Sequence, residues 1–147
     1  MSLSGYRLDS ILSTMASSMS AESIRMNITA SNLANASSVG ASDAGTYHAR
    51  HPVFSTITES VSGLNGEDQS LGGVRVSEIK TNSKPLDWHY DPDNPLSSED
   101  GRVYLTDVNS LEEMTDMIAA SRQYQASVDV TSTAKNLLIQ TIRAIDS

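Results

Sequence analysis

Three histidines are the residues whose types and spacing offer a chemistry to weigh. His48 and His51 stand three positions apart, a spacing that lets two imidazoles share a metal ion when the segment is helical, and His89 has Asp91 nearby. Pro52 follows His51 directly, which disfavours a helix there. The pair is therefore read as ordinary loop histidines. The chain has no HExxH, no phosphate-binding glycine loop and no GxSxG nucleophile elbow. Cysteine is absent, which removes thiol nucleophiles, thiolate metal sites and disulfides. No catalytic residue, cofactor or metal is expected.

A different pattern occupies the two ends. Leu8, Leu12, Met15, Met19, Met26 and Leu33 fall on alternating steps of four and three once Glu22 and Thr29 fill the gaps. Met117, Tyr124, Val128, Leu138, Ile142 and Ile145 repeat that rhythm, with Ser121, Thr131 and Lys135 between. Such steps put a stripe on one side of a helix, and the stripe needs a partner. Two stripes at opposite ends meet only if the middle folds back. The expected contact set is Leu12, Met15, Met19, Met26 and Leu33 against Met117, Tyr124, Val128, Leu138 and Ile142, within one subunit or between neighbours. Met15, Met19, Met26, Met114 and Met117 also suit an adaptable binding groove. A self-contained helical adaptor or export chaperone is thus the alternative.

Composition narrows the field. A chain of 147 residues fits one ordinary domain, yet only 38% is hydrophobic and seven residues are aromatic, little material for a large core. The net charge of −8 argues against nucleic acid, which needs Lys and Arg to replace phosphate counterions. Residues 1–40 are neutral, whereas 41–105 carry ten acids and five bases. No stretch is apolar enough to insert in a membrane. The first residues, Met1 to Tyr6, hold no Lys or Arg and lead into no apolar run, so a cleavable signal peptide is not expected.

The first helix is placed from about Tyr6 to Asn35. Thirteen of the first forty residues are Ser or Thr, which compete for backbone hydrogen bonds, so this helix needs packing to hold it. Ser37 to Gly45 reads as loop, Val53, Phe54 and Ile57 as the start of an extended stretch, and Asn65-Gly66 as a turn. Val74-Arg75-Val76 alternates like a strand, and Val103-Tyr104-Leu105 reads as a last one. Asp87 to Asp100, with Pro92, Pro95 and five acids, reads as a loop without regular structure. Ser110-Leu111-Glu112-Glu113 matches a capping box at the start of the second helix. Asn32 and Asn35 suit helix-end capping and hydrogen bonding between subunits.

Ser31-Asn32-Leu33-Ala34-Asn35, after a Ser- and Ala-rich amphipathic helix, resembles the N-terminal signature of bacterial flagellar rod and hook proteins, the axial family. Tyr47-His48-Ala49-Arg50-His51-Pro52-Val53-Phe54, Tyr90-Asp91-Pro92-Asp93-Asn94-Pro95 with Gly101-Arg102-Val103-Tyr104, and Ser121-Arg122-Gln123-Tyr124-Gln125-Ala126 with Thr133-Ala134-Lys135 are similar to segments of its proximal-rod members. Thr106-Asp107 departs from the Pro-Asn usual in the family before a Val-Asn pair, here Val108-Asn109.

The resemblance implies a structural subunit of the flagellar basal body, not an enzyme. It would leave by the flagellar type III export apparatus and polymerise helically, with copies of itself and other rod proteins, into a hollow periplasmic drive shaft that transmits torque. The fold class expected is mainly α with a small β element. Long N- and C-terminal helices would pair as a coiled coil, with an irregular β-containing middle. The divisions fall at 1–36, 37–106 and 107–147.

Overall fold

The computed structural model describes residues 3–62 and 68–145. Helix α1 spans Leu3–Ala34 and helix α2 spans Ser110–Ile145. Apart from Gly5 at its start, neither helix contains Gly or Pro, the residues that interrupt a helix. Between them lie β1 (Val39–Gly40), a short 3₁₀ turn (Asp43–Gly45), β2 (Arg50–Ser62), β3 (Asp68–Thr81), β4 (Trp88–Tyr90) and β5 (Arg102–Leu105).

This arrangement corrects the expected fold class. The middle is not a small irregular element: β2 and β3 run for 13 and 14 residues and pair as a two-stranded sheet, and a three-stranded sheet adds β1, β5 and β4 in that order. Pro52 and Gly72-Gly73 hide the long strands from a reading by pattern. In a two-stranded sheet every strand has a free edge, so a proline near a strand's start costs no ladder bond. Nor do the predicted stripes join the helices as a coiled coil. Side-chain hydrogen bonds link α1 to α2: Ser18 with Ser127, Arg25 with Asp116, and Asn32 with Glu113. The segment Asp87 to Asp100 contains a strand, β4, and its remainder is a run of turns. The expected Asn65-Gly66 turn lies outside the described residues.

The helix start is corrected too. Asn109 caps α2, its Oδ1 accepting from Leu111 N at 3.1 Å and Glu112 N at 3.5 Å. Asn109 stands one residue ahead of Ser110, where a short amide oxygen reaches the second and third free N–H groups. Glu113 is thereby released from the capping box for another partner.

The chain falls into two compact units. One comprises Met1–Ile24, Phe54–Ser77 and Ala120–Ser147. Here Thr14 Oγ1 donates to Gly72 O, and Val74 N donates to Ser17 Oγ at 3.2 Å. A Cβ on Gly73 would sit 3.1 Å from Ser17 Oγ, so glycine lets strand and helix approach this closely. Among the described residues of this unit, the buried side chains are small: Ala21, Ala120, Ser127 and Ala134.

The second unit comprises Arg25–Val53 and Glu78–Ala119. Its three-stranded sheet is antiparallel, with Val39 opposite Leu105, and Trp88, His89 and Tyr90 opposite Tyr104, Val103 and Arg102. Val103 is fully buried, joined in the interior by Ile28, Ala49 and Leu86. Among the described residues, the largest fully buried side chains are Val103 and Asn32. A polar amide thus ranks with the core.

Candidate functional site

Asn32 lies near the end of α1, where the helix brings it against the start of β2 and the first turn of α2. Its Nδ2 donates to Arg50 O at 2.8 Å and to Glu113 Oε1 at 2.9 Å. Its Oδ1 accepts from Tyr47 OH at 2.8 Å and from Arg50 N at 3.1 Å. An amide has two donor hydrogens and two lone pairs, so every position is used. The pairing with both Arg50 N and Arg50 O makes the side chain stand in for a backbone peptide beside a strand. Aspartate lacks the donors and serine the reach.

The node extends outward. Because the Tyr47 hydroxyl hydrogen goes to Asn32, Ser31 Oγ donates to Tyr47 OH, 3.2 Å away. The Arg50 guanidinium lies over the Tyr47 ring, 5.3 Å from its centre. Asp107 braces the same strand from the other side. Its Oδ1 accepts from Ala49 N at 2.7 Å, its Oδ2 accepts from Asn82 Nδ2, and Asn82 N donates to Ala49 O at 2.8 Å. The residue that departs from the family pattern therefore holds the entrance to β2.

The remaining predicted residues fall elsewhere. Asn35 caps its own helix, Nδ2 donating to Ser31 O at 2.8 Å. Leu12, Met15, Met19, Met26, Leu33, Met117, Val128 and Leu138 are half-buried, while Tyr124 and Ile142 are exposed. Apart from Thr29, which is buried beside Ile28, the buried positions lie one residue earlier than the predicted stripes: Ala21 and Asn32 rather than Glu22 and Leu33, and Ala120, Ser127 and Ala134 rather than Ser121, Val128 and Lys135. One residue is about 100° around a helix. Small side chains let backbones come close, and closeness rather than hydrophobicity decides what is covered.

The large apolar side chains on α2 are consequently left outside. Leu111 is 75% exposed, and Met114 and Ile118, on the same side by their spacing, are exposed as well. Leu137 and Ile139 are exposed farther along, on different sides of the helix.

The histidines do not converge. His48 Nε2 lies 3.1 Å from Asp43 O, and Asp43 Oδ1 accepts from Leu86 N at 3.1 Å. His51 lies exposed in β2, and His89 Nε2 is 4.0 Å from Asp91. Among the described residues no three metal-ligating side chains gather, and no helix is long and apolar enough to cross a membrane. Reasoning from the sequence missed Tyr47, Asp107 and Glu113 as partners of the node. A buried carboxylate in a capping-box position carries no outward signal, though Asp107 was visible as a departure.

Two family profiles match the chain: "Flagella basal body rod protein" over residues 12–41, and "Flagellar basal body rod FlgEFG protein C-terminal" over residues 99–144. The node draws residues from both segments and from the stretch between. Among curated relatives, "Flagellar basal-body rod protein FlgC" of Yersinia enterocolitica is 39% identical, covering 86% of this chain and 89% of its own length. The protein of that name from Buchnera aphidicola (subsp. Schizaphis graminum) is 41% identical, covering 90% and 93%. The one from Aquifex aeolicus is 38% identical over the same shares.

Proposed function

We propose a mechanical role for this chain, which belongs to the FlgC family of flagellar basal-body rod proteins and is a structural subunit of the basal-body rod. It reaches the periplasm through the flagellar export apparatus. There it polymerises helically, in the proximal rod, with copies of itself and with other rod proteins. The result is the hollow shaft that carries motor torque to the hook and filament. No turnover belongs to this role. The segments 1–36 and 107–147 supply the axial contacts, and 37–106 joins them.

One observation carries the reading. Ala21, Ala120, Ser127 and Ala134 fill buried positions of the helices, while Leu111, Met114 and Ile118 stand in solvent. Apolar side chains grouped on one side of a helix and left uncovered mark a surface that a neighbour covers. The half-buried residues Leu12, Met15, Met19, Met26, Leu33, Met117, Val128 and Leu138, with Tyr124, complete that surface. Asn32 and Asn35 serve it indirectly, by fixing the end of α1.

The test is a double substitution at exposed positions, Met114→Lys with Ile118→Lys. Exposed changes of this kind move folding stability by no more than about 0.5 kcal/mol each. The isolated protein is expected to keep its urea midpoint, while the variant disappears from purified basal bodies and the cells stop swimming. Normal swimming would sink the reading.

A further inference from the structure

Only seven aromatic residues exist in the chain, and three of them meet on one outward sheet face. Trp88 and Tyr90 alternate along β4 and so point the same way. Their partners across the ladder are Tyr104 and Arg102. Behind them the His89–Val103 pair turns the other way, and Val103 fills the core. Trp88 is 49% exposed and Tyr90 is 69% exposed.

Exposed aromatics normally keep their freedom, but these two are held. The Arg102 guanidinium stacks on the Trp88 ring, 4.5 Å from its centre. Tyr90 lies over Gly101, whose φ of 70° favours glycine; a Cβ there would come within 2.7 Å of the Tyr90 ring and 3.2 Å of Pro92. The segment beside them is fixed by turns: Asp91 N donates to Gly101 O at 2.9 Å, Ser98 N to Arg102 O at 2.8 Å, and Gly101 N to Ser98 O at 2.9 Å. A rigid cluster of Trp, Tyr and Arg is the composition of a binding hot spot, and rigidity lowers the entropy lost on binding.

Charge identifies the occupant. Asp87, Asp91, Asp93, Glu99 and Asp100 lie in the same segment, against Lys84 and Arg102. A second copy offers no net-basic third to meet them: residues 1–40 are neutral, 41–105 carry ten acids against five bases, and 106–147 six against three. We infer that the Trp88–Tyr90–Arg102 face docks a different basal-body protein, through a surface with an apolar centre and a Lys- or Arg-rich rim. This rests on the rod reading above. Because Arg102 covers one face of the Trp88 ring, stacking on a sugar is the less suited use.

The test replaces Tyr90 with photoactivatable benzoylphenylalanine in flagellated cells expressing this chain, followed by irradiation, basal-body purification and peptide mapping. The expected product joins position 90 to a net-basic segment of another basal-body protein. Asp93→Lys with Glu99→Lys, at two exposed acids, is expected to cut its yield about tenfold. Cross-linking to a second copy, to glycan or to nothing, with the chain present in the particle, overturns the inference. So does an unchanged yield in the charge variant. Absence of the chain from the particle overturns the rod reading itself, and an immunoblot of the same sample tells the two failures apart.

Discussion

Each unit, taken by itself, is held by its own kind of contact. In the second, one fully buried amide makes four hydrogen bonds at 2.8–3.1 Å, reaching a loop, a strand and a helix, and Asp107 adds two more, to Ala49 just before β2 and to Asn82 just after β3. In the first, hydroxyls make the contacts between elements among the described residues: Thr14 to Gly72, Ser17 to Val74, Ser18 to Ser127, and Ser55 to Arg75. Breaking a saturated buried node strands several polar groups at once. Losing a half-buried hydroxyl strands almost nothing. The second unit is therefore specified from within, whereas the first leaves much of its definition to what covers it.

The sharpest way to break this contrast is Asn32→Asp. It removes both donors and sets a second carboxylate opposite Glu113, with a cost of about 3–5 kcal/mol expected from leaving buried charge uncompensated. Urea unfolding of the full chain reads it, and a loss below 1 kcal/mol would mean the node is ornamental. Asp107→Ala should come next, at about 2 kcal/mol, because Ala49 N and Asn82 lose their acceptor. Ser18→Ala should cost about 0.5 kcal/mol or less. A larger effect there would erase the distinction between the units.

What could be read from the residues follows the same line. The two long helices were legible, since neither is interrupted and α2 announces its start. Their buried sides were not, because the reading weighed Met15, Met19 and Val128 by hydrophobicity while the fold buries Ala21, Ala120 and Ser127 by size. The capping box was misread for a related reason. Ser110 and Glu113 have the right spacing, yet Asn109 is better placed, and Asn32, 81 residues earlier, offers the Glu113 carboxylate a partner no local pattern reveals. Strands β2 and β3 were underestimated because Pro52 and Gly72-Gly73 resemble endings. Asn32 and Asn35 stood out together, and only their contacts separate a node from a cap.

The span between Asn32 and Glu113 also has a meaning in time. A chain appearing N-terminus first exposes Asn32 early and cannot complete it until position 113 of 147 has followed. Contacts this distant in sequence form late, because the intervening loop must close before any bond rewards it. The bonds to Tyr47 and Arg50 need only the next 18 residues, so the node is half made early, and the last quarter of the chain arrives as its latch.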